Sequence, residues 1–314
     1  MNKGETPRVI SPLHDIMKVP METIKFQSFD CVPLENGIIS LLVTKSAGPR
    51  IISLRFNGGD NLFVELPDFV TERPDGKLFH FYGGHRLWHA PESMPRTYFP
   101  DDGPVDVAKD GLRLSVTTQV EDETGIEKSI QISLAGSKAQ VILHHMLTNR
   151  GPWQIECAPW AITQFRPGGV AILPQSREQT DFLPNRSLAL WPYTDLTSSQ
   201  VYCGNGYLLV RANMDGSFKV GFPNPRGWLA YWMNGTLFVK RASYEPDAKY
   251  YDFGSSSECY CNNRFLELET LAPIGKLAPG ESATHTETWE LYEDIDFPEN
   301  EDVVQAIVEK LGLE

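Results

Sequence analysis

The sequence lacks the long apolar segments of membrane proteins and the cysteine framework of small secreted proteins. No apolar run approaches the roughly 18 residues that are needed to cross a bilayer. Residues 1–25 contain no apolar segment followed by a small-residue cleavage site, so a secretory signal is not expected. The five cysteines are an odd number scattered over a large chain, which is typical of reduced thiols. We therefore expect a cytoplasmic protein.

Zinc-ligand spacing is also missing. Cys259 and Cys261 are two positions apart, but no second pair of cysteines or histidines at zinc-like spacing accompanies them. Residues two apart on a strand share a face, so two half-buried thiols are the expected arrangement. The sequence predicts no metal site.

Positive charge is scarce. The chain has 28 Lys and Arg against 41 Asp and Glu, a formal net charge of −13, and a pI of about 5.0. An acidic surface repels nucleic acid and anionic membranes, so neither is an expected partner. A small ligand that is neutral, or whose charge is balanced locally in its binding site, fits this net charge better.

Three common catalytic motifs do not occur. The sequence contains no Gly-x-Ser-x-Gly elbow, no Gly-x-x-x-x-Gly-Lys-Ser/Thr phosphate loop and no Gly-x-Gly-x-x-Gly fingerprint. These absences argue against hydrolases of the nucleophile-elbow type, common nucleoside-triphosphate enzymes and dinucleotide oxidoreductases.

Short strand patterns between turn signals make up most of the chain. Hydrophobic residues account for 41% of it, and 25 Gly and 23 Pro indicate many turns. The clearest hairpin joins Leu229–Met233 to Thr236–Lys240 through Asn234-Gly235. Strand signals at a spacing of about 8–12 residues predict an all-β sandwich or barrel.

Only the C-terminal segment has a helical pattern. Glu299 or Asn300 can cap it, and an apolar stripe precedes Gly312. No repeat, low-complexity tract or linker divides the chain. We therefore predict a single domain over residues 1–314, with an irregular N-terminal arm over about 1–20 and a helix over about 300–312.

One stretch, Gly83–Glu92 with its continuation to Val105, concentrates polar, titratable and aromatic side chains. Two glycines permit a sharp turn or a close approach to a ligand, and four prolines stiffen the segment. We expect a rigid loop at a site for a polar small molecule. The alternative is a surface crossover whose Arg and Asp residues pair with each other.

Two glutamates form a second group of interest. Glu267 and Glu269 are two positions apart on a predicted strand and so share a face. If this face lines a concave sheet, mutual repulsion raises one pKa towards that of a useful general base. From pattern alone, a solvated outer face with both acids in water is the commoner arrangement.

A third segment contains adjacent histidines, His144 and His145, and continues to Trp160 and Gln164. Adjacent strand residues point to opposite faces, so at most one of the histidines can face a site. Trp160 can stack on a sugar ring and Gln164 can hydrogen-bond it, although core and rim positions suit them equally.

Taken together, these segments resemble the galactose mutarotase-like (aldose 1-epimerase-like) superfamily across about residues 35–291. Thr44–Leu54 resembles an early strand pair of that family, and Gly83–Trp88 occupies the place of its sugar-binding Asn-Arg motif. Leu147–Gly151 resembles its Val-Thr-Asn-x-Gly strand end. Leu268–Thr270 resembles the Leu-Glu-Thr/Pro segment with the catalytic base, and Leu277–Glu281 resembles the Leu-x-Pro-Gly-Glu turn. The resemblance implies a large β-supersandwich of antiparallel sheets with a concave sugar cleft.

The resemblance also implies acid–base chemistry without a cofactor. In that family a glutamate takes the anomeric proton and a histidine protonates the ring oxygen. Glu269 matches the base best, and Glu267 is a near alternative. The family's His-Pro-Tyr is replaced by Ala158-Pro159-Trp160, so His85, His89 or His145 would have to supply the acid. The proposed site has His85 as acid, and its sugar-orienting residues are Arg86, Trp88, His89 and Trp160.

The leading hypothesis is a sugar-active isomerase that interconverts anomers. One alternative is a carbohydrate-binding protein that retains the cleft without the acid. Another is an epimerase or lyase that acts on acidic or phosphorylated sugars, for which Arg96 and Lys240 would be the additional cations near Arg86.

Overall fold

The computed structural model describes residues 21–313, in which nearly all regular structure is β-strand. The strands of the first half are Ile24–Phe26 (β1), Phe29–Glu35 (β2), Ile39–Thr44 (β3), Arg50–Phe56 (β4), Glu65–Glu72 (β5), Leu78–Ala90 (β6), Asp106–Asp110 (β7), Arg113–Thr117 (β8), Ile126–Leu134 (β9), Gln140–Asn149 (β10) and Ile155–Phe165 (β11). The remaining elements are Val170–Pro174 (β12), Ala189–Leu190 (β13), Val201–Cys203 (β14), Tyr207–Arg211 (β15), Phe218–Phe222 (β16), Trp228–Met233 (β17), Thr236–Ala242 (β18), Tyr251–Gly254 (α1), Ser257–Cys261 (β19), Leu266–Leu271 (β20), Gly275–Leu277 (β21), Ser282–Tyr292 (β22) and Glu301–Leu311 (α2).

The strands form two antiparallel sheets that pack face to face. A 12-stranded sheet runs in the order β1-β2-β3-β4-β6-β11-β20-β19-β16-β13, with β5 and β21 paired at its sides. A 10-stranded sheet runs in the order β14-β15-β12-β17-β18-β22-β10-β9-β8-β7. A buried apolar core fills the space between them. The predicted all-β sandwich of antiparallel sheets is confirmed.

Turn chemistry explains the clearest hairpin. Asn234 and Gly235 have φ angles of 50° and 80°, as a two-residue turn with both central residues in the left-handed region requires. Strands β17 and β18 pair directly across this turn, with Met233 opposite Thr236. The hairpin predicted from Asn-Gly is therefore confirmed.

The prediction of a loop at Gly83–Ala90 is wrong, because these residues belong to the long strand β6. The glycines permit close approach to neighbouring backbone and not to a ligand. A Cβ atom on Gly83 would lie 1.9 Å from the carbonyl oxygen of Val64, and one on Gly84 would lie 2.2 Å from that of Ile51. Real Cβ atoms do not come this close, so only glycine fits at these two positions.

The irregular segment after β6 is anchored by a buried arginine. The Nη1 atom of Arg50 donates to the carbonyl oxygens of Phe81 and Gly83 at 2.8 and 2.7 Å. Its Nη2 atom pairs with Asp101 at 2.6 Å, and the arginine side chain is fully buried. The pairing of Arg and Asp expected as the alternative therefore accounts for Asp101, although the arginine comes from β4 and not from the stretch itself.

The C-terminal helix α2 begins and ends as predicted. The Asn300 side chain accepts hydrogen bonds from the backbone N–H groups of Asp302 and Val303, and Gly312 ends the helix in the left-handed conformation. No helix within residues 21–313 has the length and apolar character needed to cross a membrane. The predicted arm over about 1–20 lies outside the described residues, and the single-domain extent stays a prediction.

Candidate functional site

A cleft of about 330 Å³ opens on the face of the 12-stranded sheet that points away from the second sheet. Its floor comes from β6, β11, β20, β19 and β16, which are consecutive neighbours in the sheet. The lining is rich in aromatic rings and has few charged groups. The lining residues are Phe69, Val70, Thr71, Phe81, Arg86, Trp88, Glu92, Tyr98, Trp160, Ile162, Tyr193, Ser217, Lys219, Tyr260, Phe265 and Glu267.

Strand alternation explains which side chains reach the cleft. On β20, Leu266 and Leu268 belong to the core between the sheets, so Glu267 and Glu269 point to the opposite face. Both glutamates are nevertheless buried, with exposed fractions of 7% and 0%. The solvated outer face that the pattern alone favoured is therefore wrong.

Glu267 lies at the cleft wall and is paired with Arg86. The Nη2 atom of Arg86 donates to Oε1 of Glu267 at 3.1 Å, and its Nη1 atom donates to Gln164 at 2.8 Å. Burial, opposed by Arg86 and reinforced by the neighbouring Glu269, raises the pKa of Glu267 to about 7. This carboxylate can therefore exchange a proton near neutral pH.

Glu269 is held more rigidly than Glu267. Its Oε2 atom accepts hydrogen bonds from Trp160 Nε1 at 2.8 Å and from Lys219 Nζ at 3.1 Å. Its Oε1 atom is buried and has no hydrogen-bond partner within residues 21–313. Glu269 is in contact with cleft-lining residues but is itself fully buried. Of these two glutamates, Glu267 is the one that lines the cleft.

Lys219 connects the cleft to a further buried acid. Its Nζ atom lies 2.7 Å from Oε2 of Glu258 and sits over the rings of Trp160 and Trp191, at 4.7 and 4.8 Å. Burial opposes the charged form, but Glu258 and Glu269 outweigh it and raise the pKa of Lys219 well above its usual value. Burial raises the pKa of Glu258, against the opposing effect of Lys219. Lys219 is therefore a permanent cation in this site at neutral pH.

Trp88 and Trp160 form the aromatic part of the cleft floor. Their ring centroids lie 5.4 Å apart in an edge contact, and the guanidinium of Arg86 stacks over Trp88 at 4.4 Å. Both indoles are buried, with exposed fractions of 4% and 2%, so only a small part of each ring is open to a ligand in the cleft. The structure therefore brings Arg86, Trp88, Trp160 and Glu267 together in the lining of one cleft.

The structure does not bring His85 and His89 to this cleft. On β6 they alternate with Arg86 and Trp88 and therefore point into the space between the sheets. His85 is fully buried and lies 2.8 Å from His145, atom Nε2 to atom Nε2. His89 is also fully buried, 3.6 Å from Glu121. No histidine of residues 21–313 lines the cleft.

His85, His145 and Glu287 form a buried cluster in which one ligand atom from each residue lies within 4.8 Å of the others. The histidine nitrogens and the carboxylate oxygens of this cluster already take part in hydrogen bonds and an ion pair. His145 Nδ1 bonds a carbonyl oxygen that can only accept, so its Nε2 accepts from His85. Glu287 is paired with Lys240 at 2.9 Å and accepts from Trp289 Nε1 at 2.9 Å. The cluster is satisfied without an ion, so we assign no metal to it.

The additional cations expected for an anionic sugar do not lie in the cleft. Lys240 is fully buried between the sheets, where it pairs with Glu287. Arg96 donates to the backbone carbonyl of Pro91. The cations that line the cleft are Arg86 and Lys219, and each is paired with a carboxylate.

Sequence reasoning missed Lys219 and Glu258. Each is a single charged residue in an otherwise apolar or small-residue strand, Phe218–Phe222 and Ser257–Cys261. A lone charge in such a strand indicates a buried, paired group, and this signal was available in the sequence. Their meeting depends on the pairing of β16 with β19, which the sequence does not specify.

Comparisons of the structure with known proteins identify a shared fold, whereas the comparisons of the sequence found no match. No family model matches the sequence, and no curated protein matches it significantly. A galactose mutarotase-like protein from Lactobacillus casei matches the structure with a TM-score of 0.58 and 13% identity, over 83% of this chain and 100% of that one. A protein from Klebsiella pneumoniae with a provisional description as an aldose 1-epimerase matches with a TM-score of 0.59 and 11% identity, over 91% and 83%.

A longer protein shares the same architecture. A TPR-domain containing protein from Parabacteroides distasonis matches with a TM-score of 0.60 and 15% identity over 87% of this chain. This chain spans only 49% of that protein. The resemblance predicted from motif order is therefore confirmed for the fold, and the chain has the galactose mutarotase-like β-supersandwich fold.

Proposed function

We propose that the protein interconverts the anomers of an aldose, with Glu267 as the general base. The observation that carries this proposal is a carboxylate with a pKa of about 7, paired with Arg86, in the wall of an aromatic cleft. A general base works best when its pKa lies near the working pH, because it then takes up and returns a proton with similar ease.

Ring opening takes a proton from the anomeric hydroxyl O1 and delivers one to the ring oxygen O5, and reclosure reverses both transfers after one bond rotation. Glu267 takes the proton from the anomeric hydroxyl O1, the C1–O5 bond breaks, and C1=O1 becomes an aldehyde. Rotation about C1–C2 presents the other face of the aldehyde to O5. The ring closes when O5 attacks C1, and Glu267 returns its proton to O1. Oε2 of Glu267 suits this role, because within residues 21–313 it receives no hydrogen bond while Oε1 is held by Arg86.

The charges of the cleft favour a neutral sugar. Arg86 is paired with Glu267, and Lys219 is paired with Glu258 and Glu269. Glu92 adds a further carboxylate to the lining. A phosphate or carboxylate on the substrate would find no unpaired cation among the described lining residues and would be repelled by the acids. A cytoplasmic location suits the five free cysteines.

A binding protein without turnover is the second candidate. It is favoured by one observation, that no histidine of the described residues lines the cleft. Trp88, Trp160 and Arg86 would then hold the sugar, and no proton donor would be needed. Calorimetry would detect binding in both cases, so only turnover separates the two candidates.

The test is an anomer-exchange assay over a panel of sugars. Saturation-transfer NMR measures the rate at which the α and β anomers exchange, and the buffer rate is subtracted. We expect acceleration for at least one neutral aldose and none for the corresponding 6-phosphate. Binding without acceleration for every sugar would favour the second candidate, and neither binding nor acceleration would refute both.

A further inference from the structure

Lys219 has the position and chemistry to act on a sugar held in the cleft. It lines the same cleft as Glu267, two strands away across the sheet in the register Glu267, Tyr260, Lys219. Neighbouring strands are spaced about 4.8 Å apart, so the two Cα atoms are roughly 10 Å apart and both side chains can reach one ring. Lys219 is 4% exposed, and its contacts with two carboxylates and two indole faces fix its ammonium group.

The other polar groups of the cleft are poor proton donors. Arg86 does not release a proton in proteins. Trp160 Nε1 already donates to Glu269, and the hydroxyl of Tyr98 donates to Glu92. The hydroxyl oxygen of Tyr260 accepts from Asn262 and shares a hydrogen bond with Ser217 in which either hydroxyl can donate. Tyr193 is 45% exposed and comes from the connection after β13, outside the rigid sheet.

We propose that the ammonium of Lys219 protonates the ring oxygen of the sugar when the ring opens. The inference rests on the proposed function of Glu267. As the C1–O5 bond breaks, its electron pair goes to O5, and O5 takes a proton from Nζ. When the ring recloses, O5 returns this proton to Nζ while Glu267 returns its own proton to O1. No proton is gained or lost over the cycle, and no other reactant is needed.

The residues around Lys219 keep its ammonium group protonated, and so able to act as an acid, at the pH values at which Glu267 is ionised. An alkoxide leaving group is a much stronger base than an amine, so an ammonium ion can protonate it as the bond breaks. Glu258 and Glu269 raise the pKa of Lys219, which keeps the ammonium charged above neutral pH. After the transfer, the neutral amine of Lys219 stays 2.7 Å from Glu258 and 3.1 Å from Glu269, and these two carboxylates favour the return of the proton to Nζ.

Chemical rescue of Lys219→Ala tests the assignment in the full-length protein. We expect Lys219→Ala to bind the sugar with an affinity within a few-fold of that of the wild type. Its exchange rate should be lower than that of the wild type by about 10²-fold or more. Ethylammonium, which carries a transferable proton, should restore part of the rate, and tetramethylammonium, which has the same charge and no such proton, should not. Lys249→Ala, at an exposed lysine, should leave the rate unchanged.

Lys219→Arg provides a second variant if Lys219→Ala does not fold. The guanidinium keeps the positive charge and the carboxylate partners but holds its proton too tightly to act as an acid. We expect a folded, sugar-binding protein with a rate reduced about as much as in Lys219→Ala. An exchange rate in Lys219→Arg equal to that of the wild type, or equal rescue of Lys219→Ala by both ammonium ions, would overturn the assignment of Lys219 but not the proposed function. No exchange by the wild type would overturn the proposed function and this assignment together.

Discussion

Arg86 and Glu267 are 181 positions apart in the sequence, and their side chains meet at 3.1 Å in the wall of the cleft. Strand β11 separates their strands, and Gln164 on β11 accepts a hydrogen bond from the same guanidinium. Arg86 partly offsets the effect of burial on Glu267, and the resulting pKa is about 7. The pair thus fixes both the position and the proton affinity of the group that we propose as the base.

The first prediction concerns the pH dependence of the reaction. Because the base must be ionised, kcat/KM for anomer exchange should rise with pH and reach a plateau above about 7, the pKa of Glu267. No decline is expected up to about pH 10, because Lys219 stays protonated over this range. The measurement is the exchange rate at pH 5 to 10 with the buffer rate subtracted. A rate that is independent of pH, or that falls as pH rises through 7, would contradict the role of Glu267.

The second prediction concerns Arg86→Gln. Arg86 lowers the pKa of Glu267, so its removal should move the midpoint of the pH profile upwards. Sugar binding should weaken as well, because the guanidinium that stacks on Trp88 is lost. Arg264→Gln is the matched control, because Arg264 is an exposed arginine over the ring of Phe69 and is not one of the residues that line the cleft. An unchanged midpoint in Arg86→Gln, or an equal shift in both variants, would count against the pairing.

The third prediction concerns the glycines of β6. An alanine at Gly83 would place its Cβ 1.9 Å from a backbone oxygen, whereas one at Gly76 would meet nothing within 4 Å. Both glycines have positive φ angles, so both substitutions cost about 1–2 kcal/mol of backbone strain. We expect Gly83→Ala to lower the free energy of unfolding by about 3 kcal/mol more than Gly76→Ala, measured in urea. Equal losses would show that the close approach of β6 to Val64 is not required.

The fourth prediction concerns stability in acid. Burial lowers the pKa of His145 to about 4 and that of His285 to about 3, from an ordinary value of 6.5. Between pH 6.5 and 4 the unfolded chain therefore binds more protons than the folded one, and the free energy of unfolding falls as pH falls. At about 1.4 kcal/mol per pKa unit, His145 alone accounts for a loss of about 3 kcal/mol.

Adjacent histidines on β10 provide the comparison for this fourth prediction. His145→Asn should reduce the pH dependence of the unfolding free energy, although it removes hydrogen bonds and lowers stability at pH 7. His144→Asn should leave the pH dependence unchanged, because His144 is exposed on the opposite face of the same strand. The measurement is urea unfolding at several pH values from 7 to 4.5. The same pH dependence in all three proteins would refute the explanation.

Much of the fold follows from local sequence signals. Alternation of apolar and polar residues specifies strands such as β20, Asn234-Gly235 specifies a hairpin, and Asn300 with Gly312 specifies the ends of α2. These signals act within a few residues of one another, so they can be read without knowing the sheet order. The order of strands in the two sheets depends on contacts between distant segments, so local signals do not predict it, and only the resemblance in motif order indicated a β-supersandwich.

The site was only partly predictable for the same reason. An interpretation of Gly83–Ala90 as a loop gives no alternation, so nothing separated His85 and His89 from Arg86 and Trp88. On the strand that these residues form, odd and even positions point to opposite faces. The choice between Glu267 and Glu269 depends on their distant partners Arg86, Trp160 and Lys219, which only the sheet register brings together.

The most direct test of the central claim compares Glu267→Gln with the wild type on the sugar that the wild type exchanges fastest. Glutamine keeps the size and a hydrogen bond to Arg86 but cannot take a proton. We predict a loss of about 10²–10⁴-fold in the exchange rate, with sugar affinity within a few-fold of the wild type. Glu72→Gln, at an exposed acid on β5, should retain the full rate. An exchange rate in Glu267→Gln equal to that of the wild type would contradict the account.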